Sequence, residues 1–115
     1  MTEKDIGRLK DIISAAAEAQ AFITSLNGTN YMDNLLVQRA SERCVEIIGE
    51  AASHISDEVK LSSPHIPWRS VKAMRNLLIH QYGNVDSSIV FQTVTEQLPV
   101  LSDQIRALLK EIQTP

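Results

Sequence analysis

One stretch of this chain, residues 31–55, carries apolar side chains at spacings of three and four, and this pattern limits the fold more than any other feature. Such a stripe predicts a long helix that is wide enough on its apolar side to face two neighbouring helices. Aromatic residues make up only 4% of the chain, and its apolar residues are mostly Ala, Leu, Ile and Val. We therefore expect an all-α fold. The stripe comprises Leu36, Val37, Ala40, Cys44, Ile47, Ile48, Ala51 and Ile55.

The remaining sequence supplies the other helices. Residues 2–26 have the same period and predict a first amphipathic helix, with its apolar stripe formed by Ile6, Leu9, Ile13, Ala16 and Ile23. Asn27-Gly28 then predicts the end of this helix, and Thr29 or Asn30 can cap the next one. Residues 56–67 predict a connector, with a short helical turn near 57–61. Pro67 suits the first position of a helix that reaches Tyr82, with Trp68 as a packing anchor.

The final stretch completes the predicted architecture. Asp86 is expected to cap a last helix over residues 86–112, which Pro99 should kink or split because it removes one backbone hydrogen bond. We predict a compact antiparallel bundle of four to five helices, formed by a single domain over residues 1–115.

Composition narrows the possible functions. A net charge of -3 argues against non-specific adhesion to nucleic acid, so any RNA contact must be local or shared with a partner. The lone Cys44 allows no intrachain disulfide, and we find no apolar run of membrane-spanning length and no signal segment. The expected compartment is the cytoplasm, with no membrane association.

A polar cluster lies near the end of the third predicted helix, just before Gly83. Arg75, Asn76, His80 and Tyr82 fall within eight positions. The arginine guanidinium matches phosphate oxygens, and histidine can donate and accept a proton near neutral pH. This stretch is therefore the candidate site, and it suggests phosphate chemistry.

An α-helix through this stretch would divide the cluster into two edges. At about 100° per residue, Asn76 and His80 lie on one side of the helix, together with Arg69 and Lys72, which are candidates for substrate phosphate contacts. Arg75 lies only about 20° from Tyr82, at the margin of the apolar side, from which its long stem can deliver the charge to a neighbouring groove. Asn76 could orient the His80 ring.

Each of these candidate site residues also has a simpler interpretation. A histidine near a helix C-terminus can be a dipole contact only, and a marginal arginine is usually a solvated charge. His54 and His65 do not have metal-site spacing, and Cys44 lies among core positions. The carboxylate row of Glu42, Glu46 and Glu50 has the chemistry to hold a metal ion or to receive a basic partner, although such rows are more often solvated faces.

The polar cluster resembles a known signature. Residues 75–80 resemble the R-x-x-x-x-H motif of HEPN domains, and Tyr82 extends it to the R-x-x-x-x-H-x-Y form of HepT-like toxins. Residues 39–52, 66–69, 74–76 and 93–99 are also similar to recurring stretches of that family. The resemblance thus covers nearly the whole chain. It departs at residues 83–86, where relatives often carry another aromatic after the tyrosine.

The resemblance implies a homodimeric helical bundle with metal-independent ribonuclease activity on mRNA or tRNA and no cofactor. It also implies a type VII toxin-antitoxin system, in which an MntA-type nucleotidyltransferase antitoxin neutralises the toxin by adding AMP to the tyrosine, here Tyr82. Arg75, His80 and Asn76 would be the catalytic residues, in a composite site at the dimer interface. The alternative is a non-catalytic regulatory or substrate-binding subunit of a nucleotidyltransferase, and a third is a bundle with a merely structural polar stripe.

Overall fold

The computed structural model describes residues 2–78 and 85–113, and these residues form helices and no strand. Helix α1 spans Glu3–Thr24 and α2 spans Leu35–Ser53, and the two pack along each other. Asp5, at the start of α1, bonds to Ser56, just beyond the end of α2. The two helices are therefore antiparallel, as predicted.

The turn between α1 and α2 confirms the predicted stop. Asn27 and Gly28 both have positive φ values, +50° and +84°, which glycine tolerates best and asparagine better than most residues. A short 3-10 turn, Tyr31–Asp33, follows, with Asn30 as its cap. α2 begins only at Leu35, because the Asn34 side chain accepts a hydrogen bond from the Val37 N–H and acts as its N-cap.

The connector and the third helix follow the predicted order. Helix α3 spans Asp57–Ser62, and α4 spans Trp68–Ala73. Trp68 is buried, and its indole N–H donates to the carbonyl and the hydroxyl of Ser63, so it is the expected packing anchor. Pro67 occupies the position before the helix and not its first turn.

The C-terminal helix is divided as Pro99 predicts. Helix α5 spans Ser87–Gln92 with Asp86 as its cap, a π-helical turn covers Thr93–Gln97, and α6 spans Leu98–Gln113. The wider π turn stands where Pro99 would otherwise crowd the carbonyl four residues earlier. The bundle closes with α6 and the π turn packed on α1, and with α5 packed on α2.

The predicted apolar stripes supply much of the core, although some of their members, such as Ile13 and Ile47, are only partly buried. Fully buried side chains of α1, α2 and α6, such as Leu9, Ile48 and Ile105, meet at its centre. Leu36, which the stripe of α2 includes, is instead 79% exposed. It lies in the first turn of α2, where the direction of the side chains depends on how the 3-10 turn enters the helix.

A second correction concerns the helix that carries the polar cluster. The sequence predicts one α-helix from residue 67 to Tyr82, but the α-helical part ends at Ala73 and continues as a 3-10 helix over Met74–Leu78. A 3-10 helix turns by about 120° per residue. The angles expected from an α-helix therefore do not apply to Arg75 and Asn76.

Candidate functional site

Arg75 lies where the 3-10 helix packs directly against α2. A close approach occurs at Gly49, which is buried on α2. A Cβ atom placed on Gly49 would lie 2.4 Å from Cγ of Arg75 and 3.0 Å from its backbone nitrogen. Only glycine leaves room for this approach, so Gly49 determines how closely the arginine stem can lie along α2.

The charged end of Arg75 is held by the next residue of α2. Its Nη1 atom donates to Oε2 of Glu50 at 2.6 Å. The other carboxylate oxygen, Oε1, lies 2.9 Å from Nε2 of His54, one helical turn further along. The hydrogen bonds from His54 and Arg75 hold the pKa of the Glu50 carboxyl below its ordinary value. Glu50 is therefore an anion with both oxygens occupied.

A groove of about 640 Å³ surrounds this arrangement, between α1, α2 and the 3-10 helix. Three arginines and three acids line it, together with Asn76 and apolar side chains such as Ile47, Ala51 and Leu78. The lining therefore mixes both signs of charge and is not uniformly basic. The charged lining residues are Arg8, Arg43, Arg75, Asp11, Glu46 and Glu50.

The structure brings together some of the predicted site residues and separates others. Arg75 and Asn76 are both exposed and both line the groove. Arg69 and Lys72 are exposed on α4 but are not among the described lining residues, and the other arginines of the groove come from α1 and α2 instead. The predictions for His80 and Tyr82 concern residues outside the described part of the chain.

The 3-10 geometry changes the expected arrangement of the cluster. Residues three apart in such a helix lie on the same side, which agrees with the position of Arg75 and Leu78 in one groove. Asn76, the next residue after Arg75, also reaches this groove. The two side chains thus line one groove, although their directions around a 3-10 helix differ by about 120°, and the pairing of each with His80 or Tyr82 lies outside the described residues.

Each carboxylate of the row on α2 bonds to a different arginine, and Glu50 bonds to a histidine as well. Glu42 accepts from Arg39 at 2.7 Å, Glu46 pairs with Arg43, and Glu50 bonds to Arg75 and His54. The first two pairs join residues three apart on one helix, where side chains of opposite charge are neighbours. Among residues 2–78 and 85–113, no group of three or more histidine, cysteine or acidic side chains is arranged to hold a metal ion.

Cys44 is a core residue, as predicted. Its side chain is buried, and this burial raises the pKa of the thiol to about 11. A thiol with so high a pKa remains protonated at neutral pH and is a poor nucleophile.

The partnership between Gly49-Glu50 and Arg75 was not anticipated from the sequence. In the sequence pattern, Glu50 stands out only as one member of the carboxylate row. Gly49 is an interior glycine of a long helix, which costs helix stability and often marks a close packing contact. This glycine is the one signal that points to a close approach, but it does not identify the segment that makes the approach.

Two lines of evidence now define the class of protein. The described chain is an all-α bundle with an arginine held at a groove, and that arginine begins the R-x-x-x-x-H pattern. The family model for "Ribonuclease HepT-like" proteins matches residues 12–108, which is most of the chain. The chain therefore belongs to the HepT-like ribonuclease family, and its fold is an all-α, HEPN-like bundle.

Individual relatives agree with this assignment. A protein of Methanocaldococcus jannaschii, named as a candidate RNase, is 31% identical over 114 residues, covering 98% of each chain. The "Probable ribonuclease HepT" of Thermococcus cleftensis is 35% identical over 102 residues, which cover 89% of this chain and 93% of the relative. A candidate RNase of Caldanaerobacter subterraneus is 30% identical over 97 residues, or 82% of this chain and 87% of the relative.

Two further comparisons complete these findings. No solved structure gives a significant match to the chain. Within the described ranges, none of the helices combines the length and the apolar character that crossing a membrane requires.

Proposed function

We propose that this chain is the toxin component of a type VII toxin-antitoxin system, a metal-independent endoribonuclease that acts in the cytoplasm as one HEPN-like domain. Its catalytic residues would be Arg75, His80 and Asn76, in a composite site at the interface of a homodimer. The observation that carries the proposal is that Arg75, the first residue of the motif, is held at an open groove by Gly49 and Glu50.

The proposed chemistry is cleavage by the ribose 2'-hydroxyl. His80 takes the 2'-hydroxyl proton as the oxygen attacks the adjacent phosphorus, and the bond from phosphorus to the 5'-oxygen breaks as that oxygen receives a proton. Arg75 stabilises the additional negative charge on the phosphorus centre during the transfer. The products are a 2',3'-cyclic phosphate and a 5'-hydroxyl, and the 2'-hydroxyl replaces a metal-activated water as the nucleophile.

The groove supports RNA as the substrate through local contacts. Arg75 uses one N–H for Glu50, and a guanidinium has five such donors, so others remain for phosphate oxygens. Asn76 adds an amide to the same groove. Because acids and arginines both line it, the groove is suited to binding a few phosphates and not a long duplex, consistent with the net charge of -3.

The central experiment is RNA cleavage by purified protein in the presence of EDTA. Wild-type protein should produce 2',3'-cyclic phosphate ends, whereas Arg75→Ala and His80→Ala should each lose at least about a hundredfold in rate, as expected for a charge-stabilising group and a general acid–base group. Arg106→Ala is the matched control, because Arg106 is an exposed arginine on α6 that pairs only weakly with Asp103. Equal cleavage by all four proteins would refute the mechanism, and a requirement for added metal would refute its metal independence.

The composite site has a separate test. One histidine cannot readily perform both proton transfers at once, so a two-fold axis that brings two His80 side chains to one groove would supply both. When wild-type and His80→Ala chains are mixed and allowed to exchange, activity should fall with the square of the wild-type fraction. A linear fall would mean that each chain works alone, and a monomeric elution volume would also exclude the shared site.

Control by an MntA-type nucleotidyltransferase antitoxin is the last part of the proposal. Transfer of AMP from ATP to the Tyr82 oxygen, with release of pyrophosphate, would add a bulky anion two residues after His80. Expression of the chain should arrest growth, and co-expression with the nucleotidyltransferase should relieve the arrest and increase the mass by whole AMP units. Tyr82→Phe should stay unmodified. If the chain and its Arg75→Ala variant had equal effects on growth, the non-catalytic regulatory subunit would be the better function.

A further inference from the structure

The ion pair between Arg75 and Glu50 differs from the other arginine–glutamate pairs of α2. Arg39–Glu42 and Arg43–Glu46 join residues three apart on a single helix, so the helix itself brings them together. Arg75 and Glu50 are 25 positions apart and belong to different elements. Their contact therefore depends on the tertiary packing of the 3-10 helix against α2.

Arg75 is constrained at both ends of its side chain. Its stem passes over Gly49, where even a methyl group would collide with it, and its guanidinium donates to Glu50. Glu50 is in turn held by His54 through its second oxygen. A free arginine side chain has many rotamers, and limiting them before substrate arrives lowers the entropic cost of placing the charge.

We propose that Glu50, supported by His54, is a positioning residue that holds Arg75 in the orientation required for RNA cleavage. This inference depends on the proposed function, since it assigns Arg75 to the transition state. Glu50 does not touch the reacting atoms. It accepts a hydrogen bond from one N–H of the guanidinium and so leaves the remaining donors available to the groove. Residues that hydrogen-bond to a functional group and orient it have a similar role at other sites.

The negative charge of Glu50 makes the proposal distinctive. A carboxylate next to a phosphate-binding arginine weakens ground-state attraction to RNA while it orders the arginine. Its removal should therefore tighten RNA binding and yet slow the chemical step. A residue that serves stability alone would not shift the two quantities in opposite directions.

The test uses single-turnover cleavage and equilibrium binding of a fluorescein-labelled single-stranded RNA. Glu50→Ala should lower the cleavage rate at saturating protein roughly tenfold, the order expected for a lost orienting contact. In a His80→Ala background, which prevents cleavage, the same change should lower the Kd for RNA about two- to threefold at low salt. Glu50→Gln keeps an acceptor oxygen and should recover part of the rate. His54→Ala should lower the cleavage rate as Glu50→Ala does, but by a smaller factor.

Glu42→Ala is the matched control. It removes the same atoms and charge from a glutamate of the same helix that is also bonded to an arginine, but Glu42 does not line the groove. We expect it to leave both the rate and the Kd unchanged. Thermal unfolding of every variant checks that the cleavage assays compare folded proteins.

A double variant tests whether Glu50 acts through Arg75. Arg75→Lys keeps the charge but loses the planar fork, so it should retain measurable activity. If Glu50 orients that fork, Glu50→Ala should cause little further loss in the Arg75→Lys background. Multiplicative losses would overturn the positioning role.

Different results would exclude the proposed function and the positioning role of Glu50. If Arg75→Ala cleaves like wild-type, the proposed function itself is wrong. If Arg75→Ala is inactive while Glu50→Ala matches Glu42→Ala in rate and Kd, only the positioning role is overturned. A slower rate combined with weaker RNA binding also overturns it, since that result would mean that Glu50 acts by another route.

Discussion

Two carboxylates, Asp5 and Glu50, each join distant parts of this chain, and their surroundings differ. Asp5 is 2% exposed, and both of its oxygens accept from Ser56 at 2.9 Å, across 51 positions. Glu50 has a half-exposed side chain and joins Arg75 across 25 positions. One link lies inside the fold and the other opens onto the groove.

The protonation behaviour of the two groups reflects these positions. Burial of Asp5 would by itself raise its pKa, but hydrogen bonds from Ser56 and from Thr2 together outweigh that effect and lower it. The pKa of Glu50 is lowered by His54 and Arg75, with little burial to oppose them. Similar chemistry can therefore stabilise a fold where water is excluded and orient a charge where water is present.

The largest effect on RNA cleavage should come from filling the space beside Gly49 that the Arg75 side chain occupies. Gly49→Ala should reduce RNA cleavage about a hundredfold, because the new methyl group displaces the arginine stem. The same overpacking should lower the free energy of unfolding by about 1–3 kcal/mol. Cleavage assays at a protein concentration corrected for the folded fraction separate the two losses.

The control is Gly7→Ala on α1. A Cβ there meets nothing within 4 Å, so the change should stabilise the helix by about 0.5–1 kcal/mol and leave cleavage intact. If the two alanine variants behaved alike, the close approach at Gly49 would have no functional meaning.

The next effect is on stability alone. Asp5→Ala should lower the free energy of unfolding by about 1–3 kcal/mol, because the Ser56 N–H and hydroxyl lose their acceptor near the core. Urea titration measures this change. Asp103→Ala, at a largely exposed site on α6, should stay within about 0.5 kcal/mol of wild-type.

The pH dependence of stability should separate the two carboxylates further. Asp5 has a lowered pKa in the folded chain, so its stabilising effect is complete above the pKa of an unfolded aspartate, about 3.9, and is lost as the pH falls through the folded pKa. Asp5→Asn should therefore make the acid side of the stability curve shallower. An unchanged slope below about pH 4 would contradict the role assigned to these hydrogen bonds.

The smallest effect is expected for Glu50 in the same measurement. Exposed ion pairs contribute little to stability, because water and salt screen them. The urea midpoint of Glu50→Ala should therefore match that of wild-type, although its cleavage rate falls. A midpoint shift as large as that of Asp5→Ala would show that Glu50, like Asp5, stabilises the fold.

Most of the helical architecture was predictable from local patterns. The apolar stripes placed α1, α2 and α6, and the stop at Asn27-Gly28, the cap at Asp86 and the interruption near Pro99 are confirmed. These features depend on interactions between residues that are close in sequence. The errors lie at helix ends, where Leu36 is exposed and the polar segment is 3-10, because packing against neighbours decides the last turns.

The candidate site was predictable only in part. The motif residues Arg75 and Asn76 do line one groove, whereas Arg69 and Lys72 lie elsewhere on the surface. The roles of His80 and Tyr82 stay predictions. Nothing in the local pattern indicated that the groove takes Arg8 from α1 and Arg43 from α2.

The amino-acid sequence by itself determined the helical class, the order of the helices and the motif that assigns the chain to the HepT-like ribonucleases, because periodicity, caps and motifs are local properties. Only the tertiary structure decided that Gly49 makes room for Arg75 and that Glu50 binds it. A contact between residues 25 positions apart depends on how two elements pack, and helical periodicity carries no information about that packing.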